Sequence, residues 1–223
     1  MQKAFRKTHT LGNVELWKHP EGHKFIRFKD SPLQGHEIPH PKHLPNSDRR
    51  GVNFVTTFRT RVNGQTQRVW AKEAGSEYDH QRLTEIFRDA KAPFARNTHH
   101  ARILRQLKAA GFEAPETLGI LHPKSGRPLM LTTHVEGKDA VRGNSRLEQE
   151  LESAGFKPQD LHDQNVFETK NGHAIIDASL FGPTDKTKLN HAIEKQKQTK
   201  IQRNQTLKQK GLFARILNLF NRN

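Results

Sequence analysis

The chain has 223 residues, enough for one domain or for a compact protein of two lobes. Hydrophobic residues make up 32% of it and the formal net charge is +15, so part of the chain should be solvated and the protein should attract anions such as nucleotides, nucleic acid or an anionic membrane. The lack of cysteine excludes disulfides and thiolate chemistry, and no run of about 18 apolar residues is present to span a membrane.

Residues 1–50 are predicted to form a weakly structured N-terminal extension with two short strands, Asn13–Trp17 and Lys24–Phe28. The Pro-rich loop that follows carries three histidines that raise a metal-site hypothesis: His36, His40 and His43. The prolines prevent a helix from presenting these rings on one face, and no acidic partner is visible. Solvated loop histidines are therefore the favoured interpretation.

The clearest strand pattern covers residues 52–73, where two alternating runs flank Asn63-Gly64, a dipeptide typical of a two-residue hairpin turn. The second run ends in Val69-Trp-Ala-Lys72. A lysine at the end of a half-buried strand is unusual because an unpaired ammonium is costly to bury. Lys72 is therefore a candidate functional residue, with a solvent-facing lysine as the alternative.

Residues 77–110 are helical by pattern, with an interruption at Pro93. Asn97-Thr98 is predicted to cap the second helix, which should end at Gly111. Two further elements are predicted along the chain, a hairpin of Thr117–Leu121 with Pro128–Thr133 and a short helix over Leu147–Phe156.

Three polar residues then follow at defined spacing: Asp160, Asn165 and Asp177. Residues 165–167 and 174–177 are predicted to pair as a hairpin about the turn Asn171-Gly172, which brings Asn165 and Asp177 to the same end. Oxygen ligands that converge in this way suit Mg²⁺ carrying a nucleotide phosphate. A polar turn with a chance aspartate is the alternative.

These residues resemble the catalytic core of the protein-kinase-like superfamily, most closely its aminoglycoside phosphotransferases and bacterial lipopolysaccharide-core (heptose and Kdo) kinases. Asp160-Leu-His-Asp-Gln-Asn165 and Ile176-Asp177 match the D-x-H-x-x-N loop and the I-D pair of those families, and Val69-Trp-Ala-Lys72 resembles V-A-I-K. The resemblance implies a reduced, bilobal α+β fold. It divides the chain into the extension 1–50, an antiparallel-sheet small lobe 51–135, a truncated helical large lobe 136–185 and a basic tail 186–223.

The resemblance also implies ATP and Mg²⁺ as cofactors. Asp160 would accept the proton of the acceptor hydroxyl, Asn165 and Asp177 would hold Mg²⁺, and Lys72 would contact the ATP phosphates. Gly51 is the candidate for a turn that covers the phosphates. The hinge-like segment His134–Gly137, which contains Glu136, would bind adenine through its backbone.

The chain departs from these families in the helix that should carry a glutamate partner for Lys72. The register puts His100 at that position, and Glu85 or, failing that, Glu77 on the preceding helix would replace the missing carboxylate. A glycine-rich loop is also absent, as it is in the lipopolysaccharide kinases. Without a carboxylate partner for Lys72, an inactive pseudokinase is the alternative.

The tail, residues 186–223, contains ten Lys/Arg and one acid, Glu194. Leu189, Ile193 and Ile201 are too sparse for a buried face, so residues 186–210 are predicted to be an exposed helix or disordered. Beyond Gly211 the apolar residues fall on one helical face: Leu212, Phe213, Ile216, Leu217 and Phe220. This amphipathic helix suits the surface of an anionic membrane, and docking onto the domain is the alternative.

Two functions follow from the sequence. The first is an ATP-dependent phosphotransferase, cytoplasmic or peripheral at the inner face of the membrane, that acts on a hydroxyl of a lipopolysaccharide-core sugar or of a protein. The second is a non-catalytic basic module of kinase-like fold that binds nucleic acid or another polyanion. The few aromatic residues are not interleaved with the basic tail, so base stacking has little support.

Overall fold

The computed structural model describes residues 4–12, 14–40, 43–44, 55–73, 96–125, 128–140, 145–159, 161, 165–178, 181–182 and 184–220. Within these ranges the fold is of the mixed α+β class. Its elements are, in chain order, β1 (Arg6–Leu11), β2 (Val14–Lys18), β3 (Lys24–Phe28), a 3₁₀ turn (Gly35–Glu37), β4 (Val55–Val62), β5 (Gln65–Glu73), α1 (Arg96–Ala110), β6 (Thr117–His122), β7 (Leu129–Thr133), β8 (Lys138–Asp139), α2 (Ser145–Ser153), β9 (Val166–Thr169), β10 (Gly172–Ile175) and α3 (Lys186–Phe220).

Seven strands form one antiparallel sheet in the order β1-β2-β3-β6-β7-β5-β4. The predicted strands near residues 13–17 and 24–28 are confirmed as β2 and β3, which are antiparallel neighbours. β1 was not predicted from the sequence. The first three strands continue the large sheet because β3 pairs with β6, with Ile26 opposite Ile120.

The hairpin of β4 and β5 turns at Asn63 and Gly64, as predicted. Both residues have positive φ, 52° and 76°, which a primed two-residue turn requires. β5 lies between β4 and β7 in the sheet, with Lys72 opposite Val55 on one side and Met130 on the other. Lys72 is therefore inside the sheet and one residue before the end of its strand, not at an exposed strand edge.

α1 begins at Arg96, so Asn97 and Thr98 lie in its first turn and the predicted cap at these residues is wrong. The predicted end is confirmed. Gly111 adopts φ 97°, and Phe112 N–H donates to the Leu107 carbonyl at 3.0 Å, which satisfies a carbonyl of the last turn. The helix predicted before Pro93, including Glu77 and Glu85, lies outside the described residues.

The predicted hairpin between the candidate metal ligands Asn165 and Asp177 is confirmed as β9 and β10, which join β8 in a three-stranded sheet. Its turn is one residue earlier than predicted. Gly172 pairs with Thr169, so Lys170 and Asn171 form the loop, and Gly172 takes a positive φ of 125° as the first paired residue.

Two hydrophobic clusters stabilise the fold. One packs on the large sheet around Phe25, Val69 and Leu121. The other joins α1, α2, the β9–β10 hairpin and the start of α3, and Phe156 in it packs edge-on against Phe112 and Phe181. The second cluster fixes α1 against the segment that follows β10.

α3 is one continuous helix of 35 residues, so the alternative of a disordered 186–210 is wrong. The statement that Leu189 and Ile193 are too sparse to be buried is also wrong: Leu189 is 4% exposed and Ile193 packs on the second cluster. From Lys197 to Gln209 every residue is exposed. No helix in the described ranges combines the length and apolar character that crossing a membrane requires.

Candidate functional site

A cavity of about 270 Å³ lies against the face of the large sheet formed by β5 and β7. Trp70 is opposite Thr132 and Lys72 is opposite Met130 in the strand register, so these four residues share one face of the sheet. The hairpin after β8 closes the other side. The described lining residues are Trp70, Lys72, Met130, Thr132, Asp139, Phe167, Ile176 and Asp177.

Lys72 and Asp177 form an ion pair in this cavity between Nζ and Oδ2, although 105 residues separate them in the chain. The side chains of Lys72 and Asp177 are 20% and 13% exposed. A lysine inside a sheet needs such a partner because an unpaired buried ammonium is costly. The prediction singled out both residues, and the fold brings them together.

The backbone of Asn165 holds Asp177 in place. The Asn165 carbonyl accepts hydrogen bonds from the N–H groups of Ile176 at 2.9 Å and of Asp177 at 3.4 Å. Asn165 is itself buried, with 8% exposure. The backbones of Asn165 and Asp177 thus meet at one end of the β9–β10 hairpin, as the spacing indicated, but the described lining of the cavity includes Asp177 and not Asn165.

His100 on α1 is the third group beside Asp177. It is 3% exposed, its Nε2 accepts a hydrogen bond from Ala178 N–H at 3.1 Å, and the same nitrogen lies 3.4 Å from Asp177 Oδ1. The sequence placed His100 at the position of the expected glutamate but gave it no role. Its contact with Asp177 depends on the packing of α1, for which the sequence carries no local pattern.

Aromatic rings line the other end of the cavity. The rings of Trp70 and Phe167 meet edge to face at 89° with centroids 5.7 Å apart, and His134 contacts Trp70 with centroids 4.9 Å apart. Burial lowers the pKa of His134 below its ordinary 6.5, Arg68 lowers it further, and Glu136 acts in the opposite direction. His134 therefore presents a neutral ring to this wall at neutral pH.

Sequence reasoning did not identify Trp70 and Phe167 as site residues, although a signal was present. Trp70 is two residues before Lys72 on the same strand, and Phe167 is two residues after Asn165. The period of two in a strand puts such neighbours on the same face as the residue already chosen. Asp139 carried no comparable signal.

The remaining predicted site residues are Asp160, Gly51, Glu85 and Glu136. Asp160, Gly51 and Glu85 lie outside the described residues. Glu136 is described and exposed, and the cavity's described lining does not include it.

The donors at Asp177 and Asn165 fit Mg²⁺. This ion is usually bound through one or two carboxylates together with water and substrate phosphates, so it does not need a cage of protein ligands. The Asp177 carboxylate, which lines the cavity, meets that requirement. Among the described residues no group of three or more His, Asp or Glu is placed to hold a metal ion by itself, and the loop histidines form no such group.

Comparison of the sequence with protein-family models gave no match, and comparison with curated proteins gave none either.

Proposed function

We propose that this chain is an ATP- and Mg²⁺-dependent phosphotransferase of the protein-kinase-like superfamily, which transfers the γ-phosphate to a hydroxyl. The observation that carries the proposal is the meeting of Lys72 and Asp177 in one cavity. In this superfamily a strand lysine binds the nucleotide phosphates and an aspartate after a hairpin binds the metal. A lysine and an aspartate of matching strand and hairpin position support the same roles here.

Lys72 and Asp177 would bind groups of opposite charge, the lysine the phosphates and the aspartate the metal. When ATP enters, the Lys72 ammonium exchanges the Asp177 carboxylate for phosphate oxygens, and Asp177, together with Asn165, would hold the metal. Bound Mg²⁺ would neutralise charge on the phosphates. Positioning and charge neutralisation then account for most of the catalysis.

The transfer step needs one further residue. The acceptor oxygen bonds to the γ-phosphorus, the bond from this phosphorus to the β–γ bridging oxygen breaks, and ADP leaves. The acceptor proton passes to Asp160, which the resemblance assigns as the general base.

The size and lining of the cavity suit part of a nucleotide. Its volume of about 270 Å³ is just below the ~300–1,000 Å³ typical of ligand pockets, so it would hold only part of ATP, with the phosphates at the end of Lys72 and Asp177 and the base towards the aromatic rings. Trp70 and Phe167 provide flat apolar surfaces for stacking. Because their rings touch each other, a base would have to turn one of them aside.

The acceptor is proposed as a class: a sugar hydroxyl of the lipopolysaccharide core or a protein hydroxyl. A sugar of the inner membrane leaflet fits the basic α3, whose exposed part carries Lys197, Lys200, Arg203 and Lys208. A protein acceptor is tested in the same assay.

The exposed basic surface of α3 also favours a second candidate, a non-catalytic module that binds a polyanion. In that case Lys72 and Asp177 would form a structural ion pair. Binding would then depend steeply on salt and would not require either residue.

The experiment is phosphate transfer from γ-labelled ATP with Mg²⁺, alone and with lipopolysaccharide-core sugars or candidate proteins. Wild type should transfer label, and Asp177→Asn and Asp160→Asn should each lose at least about 100-fold in rate. Glu168→Gln, on the exposed face of β9, is the matched control and should keep the wild-type rate. Absence of ATP binding by the wild type would refute the enzyme proposal, and salt-sensitive polyanion binding unaffected by Asp177→Asn would favour the second candidate.

A further inference from the structure

His100 links α1 to the segment that carries Asp177. Three consecutive backbone N–H groups of that segment are hydrogen-bonded: those of Ile176 and Asp177 to the Asn165 carbonyl, and that of Ala178 to His100 Nε2. Asp177 is thus held from both sides, once by the hairpin and once by the helix.

We propose that His100 is a positioning residue that orients Asp177 for the metal, an inference that rests on the proposed function. A ring nitrogen that accepts the Ala178 N–H uses its lone pair and carries no hydrogen for Asp177. The hydrogen-bond pattern assigns the ring proton to Nδ1. His100 therefore fixes the backbone next to Asp177 and leaves its carboxylate to Lys72 or to Mg²⁺.

The burial of both partners makes this hydrogen bond difficult to replace. Ala178 is 1% exposed and His100 is 3% exposed, so water cannot take over the role of acceptor. A buried N–H that loses its acceptor costs about 1–3 kcal/mol, and the backbone shifts to avoid that cost. Such a shift at Ala178 turns the neighbouring Asp177 carboxylate away from the direction in which it would bind the metal.

A glutamate at this position would add a second carboxylate beside Asp177. The imidazole Nε2 supplies an acceptor without adding a carboxylate, and Lys72 pairs with Asp177 instead. His100 thus holds Asp177 in place from the position on α1 where the resemblance expects a glutamate partner for Lys72.

Substitutions at His100 can distinguish the loss of the hydrogen-bond acceptor from the loss of side-chain volume. The Gln side-chain oxygen reaches the position of Nε2, whereas the shorter Asn side chain matches Nδ1 and does not reach Ala178. Groups that orient a metal ligand typically contribute 10–100-fold to metal affinity. His100→Asn and His100→Ala should therefore raise the Mg²⁺ concentration for half-maximal binding of AMP-PNP, a non-hydrolysable ATP analogue, by at least tenfold, and His100→Gln by less than about threefold.

The test is a calorimetric titration of the full chain with AMP-PNP over a range of Mg²⁺ concentrations, and again in EDTA. The expected result is a higher Mg²⁺ requirement in the Asn and Ala variants, rescue by Gln, and unchanged binding in EDTA. The role of His100 is refuted if Asn behaves as wild type, if Gln fails like Asn, or if affinity falls equally with and without Mg²⁺. If the wild-type protein shows no Mg²⁺-dependent binding of AMP-PNP, the proposed function itself is refuted. This result differs from those that refute only the role of His100.

Discussion

The ion pair of Lys72 and Asp177 should contribute more to stability than a surface salt bridge. The side chains of Lys72 and Asp177 are 20% and 13% exposed, so the pair is intermediate between an exposed and a fully buried salt bridge. Exposed pairs contribute about 0–1 kcal/mol, whereas removal of one partner of a buried pair costs about 3–5 kcal/mol. We expect Asp177→Asn or Lys72→Met to lower the free energy of unfolding by about 2–3 kcal/mol without nucleotide.

A double-mutant cycle measured by urea denaturation tests this value. Each single variant leaves the other group without its partner, so the double variant should lose less than the sum, with a coupling energy of about 1.5–2.5 kcal/mol. Lys197→Met is the control because Lys197 and Glu194 form an exposed pair at 3.1 Å, and it should cost less than about 0.5 kcal/mol. Costs for Lys72 and Asp177 that add to within about 0.5 kcal/mol would refute the contact.

Three further predictions concern the rest of the fold. Burial and the neighbouring His19 and Lys124 lower the pKa of His23 below 6.5, whereas Glu21 raises it, so the unfolded chain binds this proton more readily than the folded chain. The free energy of unfolding should therefore fall as pH drops from 6.5 towards the folded pKa, and His23→Gln should flatten that part of the plot of stability against pH. Leu189→Ala should cost about 2–4 kcal/mol in urea denaturation because Leu189 is 4% exposed, whereas Ile201→Ala, at 56% exposure, should cost less than about 0.5 kcal/mol; equal costs would contradict the docking of α3. Gly111→Ala should lower stability by about 1–2 kcal/mol, since its φ is 97° and a new Cβ would lie 2.8 Å from Gln196; an unchanged melting temperature would contradict this.

The sequence was sufficient wherever local chemistry determines the structure. Asn63-Gly64 predicts its turn because few other residues accept positive φ at both positions. Gly111 ends α1 for the same reason. The spacing of Asn165 and Asp177 across a hairpin predicted their meeting, because pairing of the strands fixes which residues share an end.

The sequence was insufficient where contacts are long-range. The pairing of β3 with β6 joins segments about 90 residues apart, and no local pattern indicates it. The contact of His100 with Asp177 depends on the packing of α1 against the β9–β10 hairpin. Neither could be read from periodicity.

The continuity of α3 shows a different limit. Gly211 separates the two predicted parts of the tail, yet a glycine costs only about 1 kcal/mol in a helix and does not by itself end one. The anchor of α3 is also short: Leu189, Ala192 and Ile193 pack on the domain, and one turn of such contacts leaves a weak apolar period in the sequence.

The most direct test of the central claim labels Lys72, the lysine proposed to bind the nucleotide phosphates. An acyl-phosphate derivative of ATP acylates amines next to the phosphates, and mass spectrometry then gives the extent of modification at each lysine. The proposal predicts rapid labelling of Lys72 with Mg²⁺ present, protection by excess ATP, and slow, unprotected labelling of the exposed Lys197 and Lys200. The proposal would be contradicted if Lys72 were labelled no faster than these two residues, or if excess ATP did not protect it.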